Sequence, residues 1–126
     1  MKKIINTDKA PAPVGAYNQA ILSGNTLYLS GQIPLNPVSG ELVTSGVKDE
    51  AIQVMNNLLA VLEAADMNFE NVIKSSIFLS DMEDFAIVNE VYGSFFNNET
   101  APARETVQVA NLPKYVNVEI SMIAVK

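Results

Sequence analysis

The sequence predicts an α+β fold: one mixed β-sheet with two helices packed on one face. Three observations carry this. Two segments repeat apolar residues at helical spacing, and strand-like segments precede each. Residues 116–125 alternate with a period of two. The 126 residues make one domain's worth of chain, 1–126, able to bury roughly two-thirds of its unfolded surface.

The elements follow in order. Ile4 and Ile5 start a short strand. Pro11 and Pro13 stiffen the loop to Gly15, because each fixes φ and removes a donor. Residues 18–22 read as a strand ended by Ser23-Gly24-Asn25, which is hairpin punctuation. Residues 26–32 form its partner. Asn36-Pro37 and Ser39-Gly40 mark a turn-rich loop. The first helix is predicted over 47–65, where Val47, Ala51, Val54, Met55, Leu58, Val61, Leu62 and Ala65 follow the i, i+3, i+4 rule. Residues 72–80 form a strand with Ile73, Ile77 and Leu79 assigned to one face. A second helix is predicted over 82–97, with Phe85, Val88, Tyr92, Phe95 and Phe96 as a core stripe. Residues 104–110 and 116–125 are the last two strands. In the latter, Val116, Val118, Ile120, Met122 and Ala124 line one face. The other face ends in Ile123 and Val125, too apolar for free solvent, and is expected to meet another copy of the chain.

Composition narrows the chemistry. The net charge is −6 and the only adjacent basic pair is Lys2-Lys3, which argues against a nucleic-acid partner. No apolar run approaches the roughly 20 residues of a membrane helix. The N-terminus lacks the apolar core of a signal peptide. The expectation is a soluble, cytoplasmic protein without membrane partners. With no His and no Cys, zinc sites built on those ligands, cysteine nucleophiles and Ser-His-Asp triads are excluded. Proton transfer falls to carboxylates, Tyr, Lys, water or the substrate. No dinucleotide or P-loop nucleotide cofactor is expected, since neither glycine-rich phosphate motif occurs.

Two residues stand out. Arg104 follows a Pro-containing loop at the start of a strand. Its guanidinium suits a bidentate carboxylate, or a surface ion pair with Glu105 or Glu119. Glu119 lies among apolar residues, where a carboxylate is costly unless paired or wet. It is either a solvent-facing charge or a group that orients water and moves a proton. Tyr17, after the proline loop, is a packing aromatic or a site hydroxyl. Gly31, beside Ser30, permits a close ligand approach or a bulge. Asp81, Glu83 and Asp84 are expected to cap and complement the second helix.

Pro102-Ala103-Arg104, Val107 to Pro113, and Val118-Glu119-Ile120 with Ile123-Ala124 together resemble the C-terminal signature of the Rid/YjgF family. Gly15-Ala16-Tyr17, Ser30 to Pro34, and Asp84-Phe85-Ala86 with Val88-Asn89 match it too, so the resemblance spans the chain. It implies a chorismate-mutase-like fold in a barrel-like homotrimer with sites between subunits. It implies hydrolytic deamination of 2-enamine and 2-imine acids, such as 2-aminoacrylate and 2-aminocrotonate, to 2-oxo acids and ammonia, without cofactor or metal. Pyridoxal-phosphate dehydratases release such substrates. By matched position, Arg104 grips the substrate carboxylate, Glu119 places the attacking water and Tyr17 closes the cleft. Ser30, Gly31, Asn89 and Thr106 line or support the pocket. Thr106 stands where many relatives carry Cys, and Glu105 where the usual residue is a small Ser. Alternation sends Glu105 to the face opposite Arg104; a bulge would let the two compete. The alternatives are a non-catalytic module binding 2-oxo acids or amino acids, an RNA-cleaving enzyme, or a chaperone-like protein.

Overall fold

The computed structural model describes residues 1–126. Its strands are β1 (Lys2–Ile5), β2 (Ala20–Ser23), β3 (Thr26–Gln32), β4 (Val72–Leu79), β5 (Ala103–Gln108) and β6 (Val118–Val125); its helices are α1 (Val47–Ala64) and α2 (Phe85–Gly93). They form one six-stranded sheet in the order β1-β2-β3-β6-β4-β5. Only β4 and β5 run parallel, joined by the crossover that contains α2. The mixed sheet and two helices agree with the predicted class.

Helix α1 forms where apolar residues recur at helical spacing. Ala51, Val54, Met55, Leu58, Val61 and Leu62 are all buried. Asp49 and Glu50 in its first turn complement the helix dipole. It ends where Asp66 turns left-handed (φ 58°), letting the Met67 N–H reach back to the Leu62 carbonyl at 2.9 Å. The helices cover one sheet face, burying Leu27, Leu29, Ile77, Leu79, Val118, Ile120 and Met122 in a core of 23 residues. Each such aliphatic side chain contributes about 1.5–3 kcal/mol through burial.

The structure corrects the sequence reading in three places. Ile73 is half exposed, and the buried face of β4 is Val72, Ser75, Ile77 and Leu79. A register shift between Val72 and Lys74 against β6 inverts the alternation there. Helix α2 is shorter than predicted. Met82–Asp84 is a 3₁₀ turn capped by Asp81, whose carboxylate accepts the Glu83 N–H at 2.9 Å. Asp84 caps nothing; burial, then Asp81, Glu50 and Glu83, push its carboxyl upward. Finally, Phe85 is partly exposed instead of buried in the core.

The opposite sheet face carries no helix. Register aligns Ile4, Ile21, Tyr28 and Ile123 in one row across four strands. Ile4 and Tyr28 are about half exposed, at 53% and 51%. This uncovered apolar ladder matches the second face anticipated from residues 116–125.

Candidate active site

Glu119 alternates with buried Val118 and Ile120, so its side chain leaves β6 on the helix-free face. It lines a cavity of about 520 Å³ with Pro11, Tyr17, Ser30, Gly31 and Lys114. Burial alone pushes its carboxyl above the ordinary 4.5. Gly31 explains how the carboxylate fits. A Cβ there would lie 2.6 Å from Glu119 Oε2 and 2.9 Å from its Cδ. The β3–β6 register also shifts between Leu29 and Gln32. Gly31 therefore marks a bulge and leaves room for Glu119.

Two polar hubs, one buried and one half-buried, order the segments around this cavity. Gln19, 2% exposed, donates from Nε2 to the carbonyls of Thr7, Ala10 and Pro11, and accepts the Thr7 N–H at 2.6 Å. It thereby fixes the proline loop. Tyr17 secures the loop's end, its hydroxyl oxygen accepting the Val14 N–H at 3.3 Å. Ser30 Oγ donates to the Asn18 carbonyl at 2.6 Å.

The second hub is Asn117. Its N–H and Nδ2 donate to the two oxygens of buried Glu50, at 3.1 and 2.6 Å. Its Oδ1 and carbonyl accept from Ser80 Oγ and N–H. α1, the end of β4 and the start of β6 are thus tied together just before Glu119. The adjoining turn holds Lys114 and Tyr115 left-handed, both at φ 56°, and Pro113 and Lys114 form a cavity wall.

Arg104 lies elsewhere. On edge strand β5 it pairs with Ser75, a core-facing residue, so it projects on the helix side. Its Nη1 donates to Asn89 Oδ1 at 2.8 Å. The guanidinium carbon stands 5.1 Å from the Tyr92 ring centroid and 5.8 Å from that of Phe85. With Asn89, Tyr92, Phe96 and Pro102 it lines a separate depression of about 350 Å³. Thr106 follows on the same side, its Oγ1 buried and without a partner. Glu105 points the other way, to Lys74 Nζ at 2.8 Å and to the hydroxyl of Ser76. These two bonds hold its carboxyl below the ordinary range. It does not engage Arg104.

The structure therefore gathers Tyr17, Ser30, Gly31 and Glu119 in one group, and Asn89, Arg104 and Thr106 in another. Glu119 is paired across the sheet with Phe78, and Arg104 with Ser75, three residues away on β4. That is roughly 10 Å along the strand, with the two side chains on opposite faces. A single copy does not bring them together. Sequence reasoning missed Gln19, Glu50 and Asn117, and assigned Phe85 and Tyr92 to the core alone. No period or motif marks such long-range contacts; only the cost of burying polar groups such as Gln19 hints at them.

Residues 7–126 match the family model described as endoribonuclease L-PSP. A RutC family protein of Pyrococcus horikoshii is 49% identical over 100% of this chain and 99% of its own. The 2-iminobutanoate/2-iminopropanoate deaminase of Rattus norvegicus is 48% identical, covering 100% of this chain and 91% of its own. A solved structure of a Rid family protein from Yersinia pestis superposes with a TM-score of 0.97, at 40% identity and with full coverage of both chains. The fold, the signature residues and these similarities agree: the chain belongs to the Rid/YjgF family, the endoribonuclease L-PSP family.

Proposed function

We propose that the protein is a cofactor-independent deaminase of 2-imine and 2-enamine acids, with its site assembled between copies of the chain in a homotrimer. The observation that carries this is the split arrangement. One face holds a cavity with a half-buried carboxylate; the sheet edge offers a guanidinium whose remaining N–H groups are uncommitted. The apolar row Ile4, Ile21, Tyr28 and Ile123 supplies a reason for copies to associate through the helix-free face. The 48% identity to a 2-iminobutanoate/2-iminopropanoate deaminase supports the reaction class.

The mechanism uses only these groups. Arg104 binds the substrate carboxylate in two hydrogen bonds and orients it. The enamine tautomerises to the imine as its N–H proton passes to the terminal carbon. Glu119 accepts a proton from a water molecule as the oxygen adds to the imine carbon. It returns that proton to nitrogen, giving the carbinolamine; the hydroxyl proton then passes to nitrogen through the same carboxylate, the C–N bond breaks as the C=O forms, and ammonia leaves with the 2-oxo acid. A carboxyl raised by burial suits both proton steps, worth about 10²–10⁴-fold in rate. Tyr17 borders the cavity mouth, and Ser30, Gly31, Asn89 and Thr106 support the two halves. The RNA-cleaving reading in the family's description draws less support from a chain of net charge −6 with no His.

The test is 2-oxo acid and ammonia release from 2-aminoacrylate generated in situ by a serine dehydratase. Wild type accelerates release; R104A and E119A fall to background. No acceleration by folded wild type would exclude this activity and favour a module that binds 2-oxo acids without turnover.

A further inference from the structure

Arg104 is exposed on an edge strand, yet neighbouring side chains hold its head group. Asn89 takes one N–H at 2.8 Å, and two ring faces lie within cation–π range. A side chain with this much rotamer freedom is costly to immobilise on binding. The rings limit that freedom in advance.

The Tyr92 ring is itself fixed. The residue is 5% exposed, its hydroxyl donates to Ser75 Oγ at 2.9 Å, and Phe96 packs at 4.7 Å between centroids. Burial raises its phenol, which keeps the ring neutral under the guanidinium. Phe85 stands at the first turn of α2, four residues before Asn89, so both reach Arg104 from one side of the helix. Phe85 remains 36% exposed although it is a large apolar residue. Contact with Arg104 accounts for it better than the core does.

We infer that Tyr92 and Phe85 are positioning residues for Arg104: their ring faces hold the guanidinium so that its N–H edge is presented to a carboxylate. This rests on the reading of Arg104 as the carboxylate-binding group. The aromatic faces take the π surface of the guanidinium and Asn89 takes one N–H. The rest of the planar donor set is left in the orientation that bidentate recognition requires.

The experiment measures calorimetric affinity for 2-oxobutanoate, which bears the carboxylate and does not turn over. KM and kcat for imine hydrolysis are measured beside it. Y92L is expected to weaken binding about tenfold and F85L about threefold, in KM and not in kcat. Y92F loses the bond to Ser75 and some thermal stability but retains the ring, so it rescues binding to near the wild-type value. A purely structural role for Tyr92, acting through its bond to Ser75, leaves Y92F as weak as Y92L and overturns the inference. F85L, altered at a partly exposed position, decides the matter if Y92L does not fold: wild-type affinity in F85L overturns the proposal. R104A serves as the reference. If R104A binds 2-oxobutanoate as wild type does, the carboxylate reading falls and takes this inference with it. If R104A loses binding while F85L and Y92L keep it, only the positioning role fails.

Discussion

The Glu119 and Arg104 regions solve the same problem, holding a charged group ready, by different means. Glu119 sits in the central part of the sheet between β3 and β4, flanked by segments that Gln19 and Asn117 fix through partly buried hydrogen bonds. Its space comes from a missing side chain at Gly31. Arg104 sits on β5, which has one strand neighbour, and is steadied by side chains of α2. A half-buried carboxylate is placed by backbone and by the absence of atoms. An exposed guanidinium is placed by surfaces it leans on. The first arrangement leaves no room for an added atom at Gly31; the second tolerates neighbours.

That contrast predicts a graded series of effects. The largest belongs to G31A. Its new methyl would meet Glu119 Oε2 at 2.6 Å and Cγ at 3.1 Å, so the carboxylate must swing away. Displacement of a reacting group by an ångström costs about 10²-fold in rate. Steady-state kinetics should show the loss in kcat, with the thermal midpoint little changed because the Glu119 side chain can rotate. A G31A enzyme with full kcat would break the claim that space at Gly31 sets the carboxylate's position.

Q19A comes next. It strips partners from the Thr7, Ala10 and Pro11 carbonyls and from the Thr7 N–H. Leaving such groups unpaired costs about 1–3 kcal/mol. Denaturant unfolding should record the cost, and hydrogen exchange should quicken in the 7–17 loop and not in β5.

A smaller effect separates stability from function at Glu119. Burial raises its carboxyl above the ordinary 4.5, so the folded state holds this proton more tightly than the unfolded chain does. Native stability is therefore lost as pH rises through the window above 4.5. E119Q removes that loss while abolishing proton transfer. Its thermal midpoint should match wild type near pH 4 and exceed it near pH 7. A midpoint difference independent of pH would show that Glu119 is not destabilised when ionised.

The smallest effect is expected from E105S. Glu105 is tied to Lys74 and Ser76 on the face away from Arg104. Affinity for 2-oxo acids should not change. An increase would mean that Glu105 competes for the guanidinium in solution.

Much of this was legible in the sequence because it is periodic. The apolar spacing of residues 47–65 specified α1, and the alternation of residues 116–125 separated the face of Ile120 from that of Glu119. The same alternation turned Glu105 away from Arg104. Periodicity failed where the backbone steps out of register: Ile73 was assigned inward, and the shift between Val72 and Lys74 turned it outward. It also failed at Phe85, whose spacing matched the core while its ring met a cation from another strand. The site residues were named by family signature. That they divide between two faces is decided by strand order, which no local pattern encodes.

Strand order has one more consequence. β6 is the last strand in sequence, yet it lies between β3 and β4. Without it, the β1–β2–β3 meander and the β4–α2–β5 unit have no strand to join them. Neither can close the sheet alone, so assembly waits on β6 and on contacts distant in sequence. Glu119 travels on that strand, so its carboxylate reaches the cavity in the same step that closes the sheet.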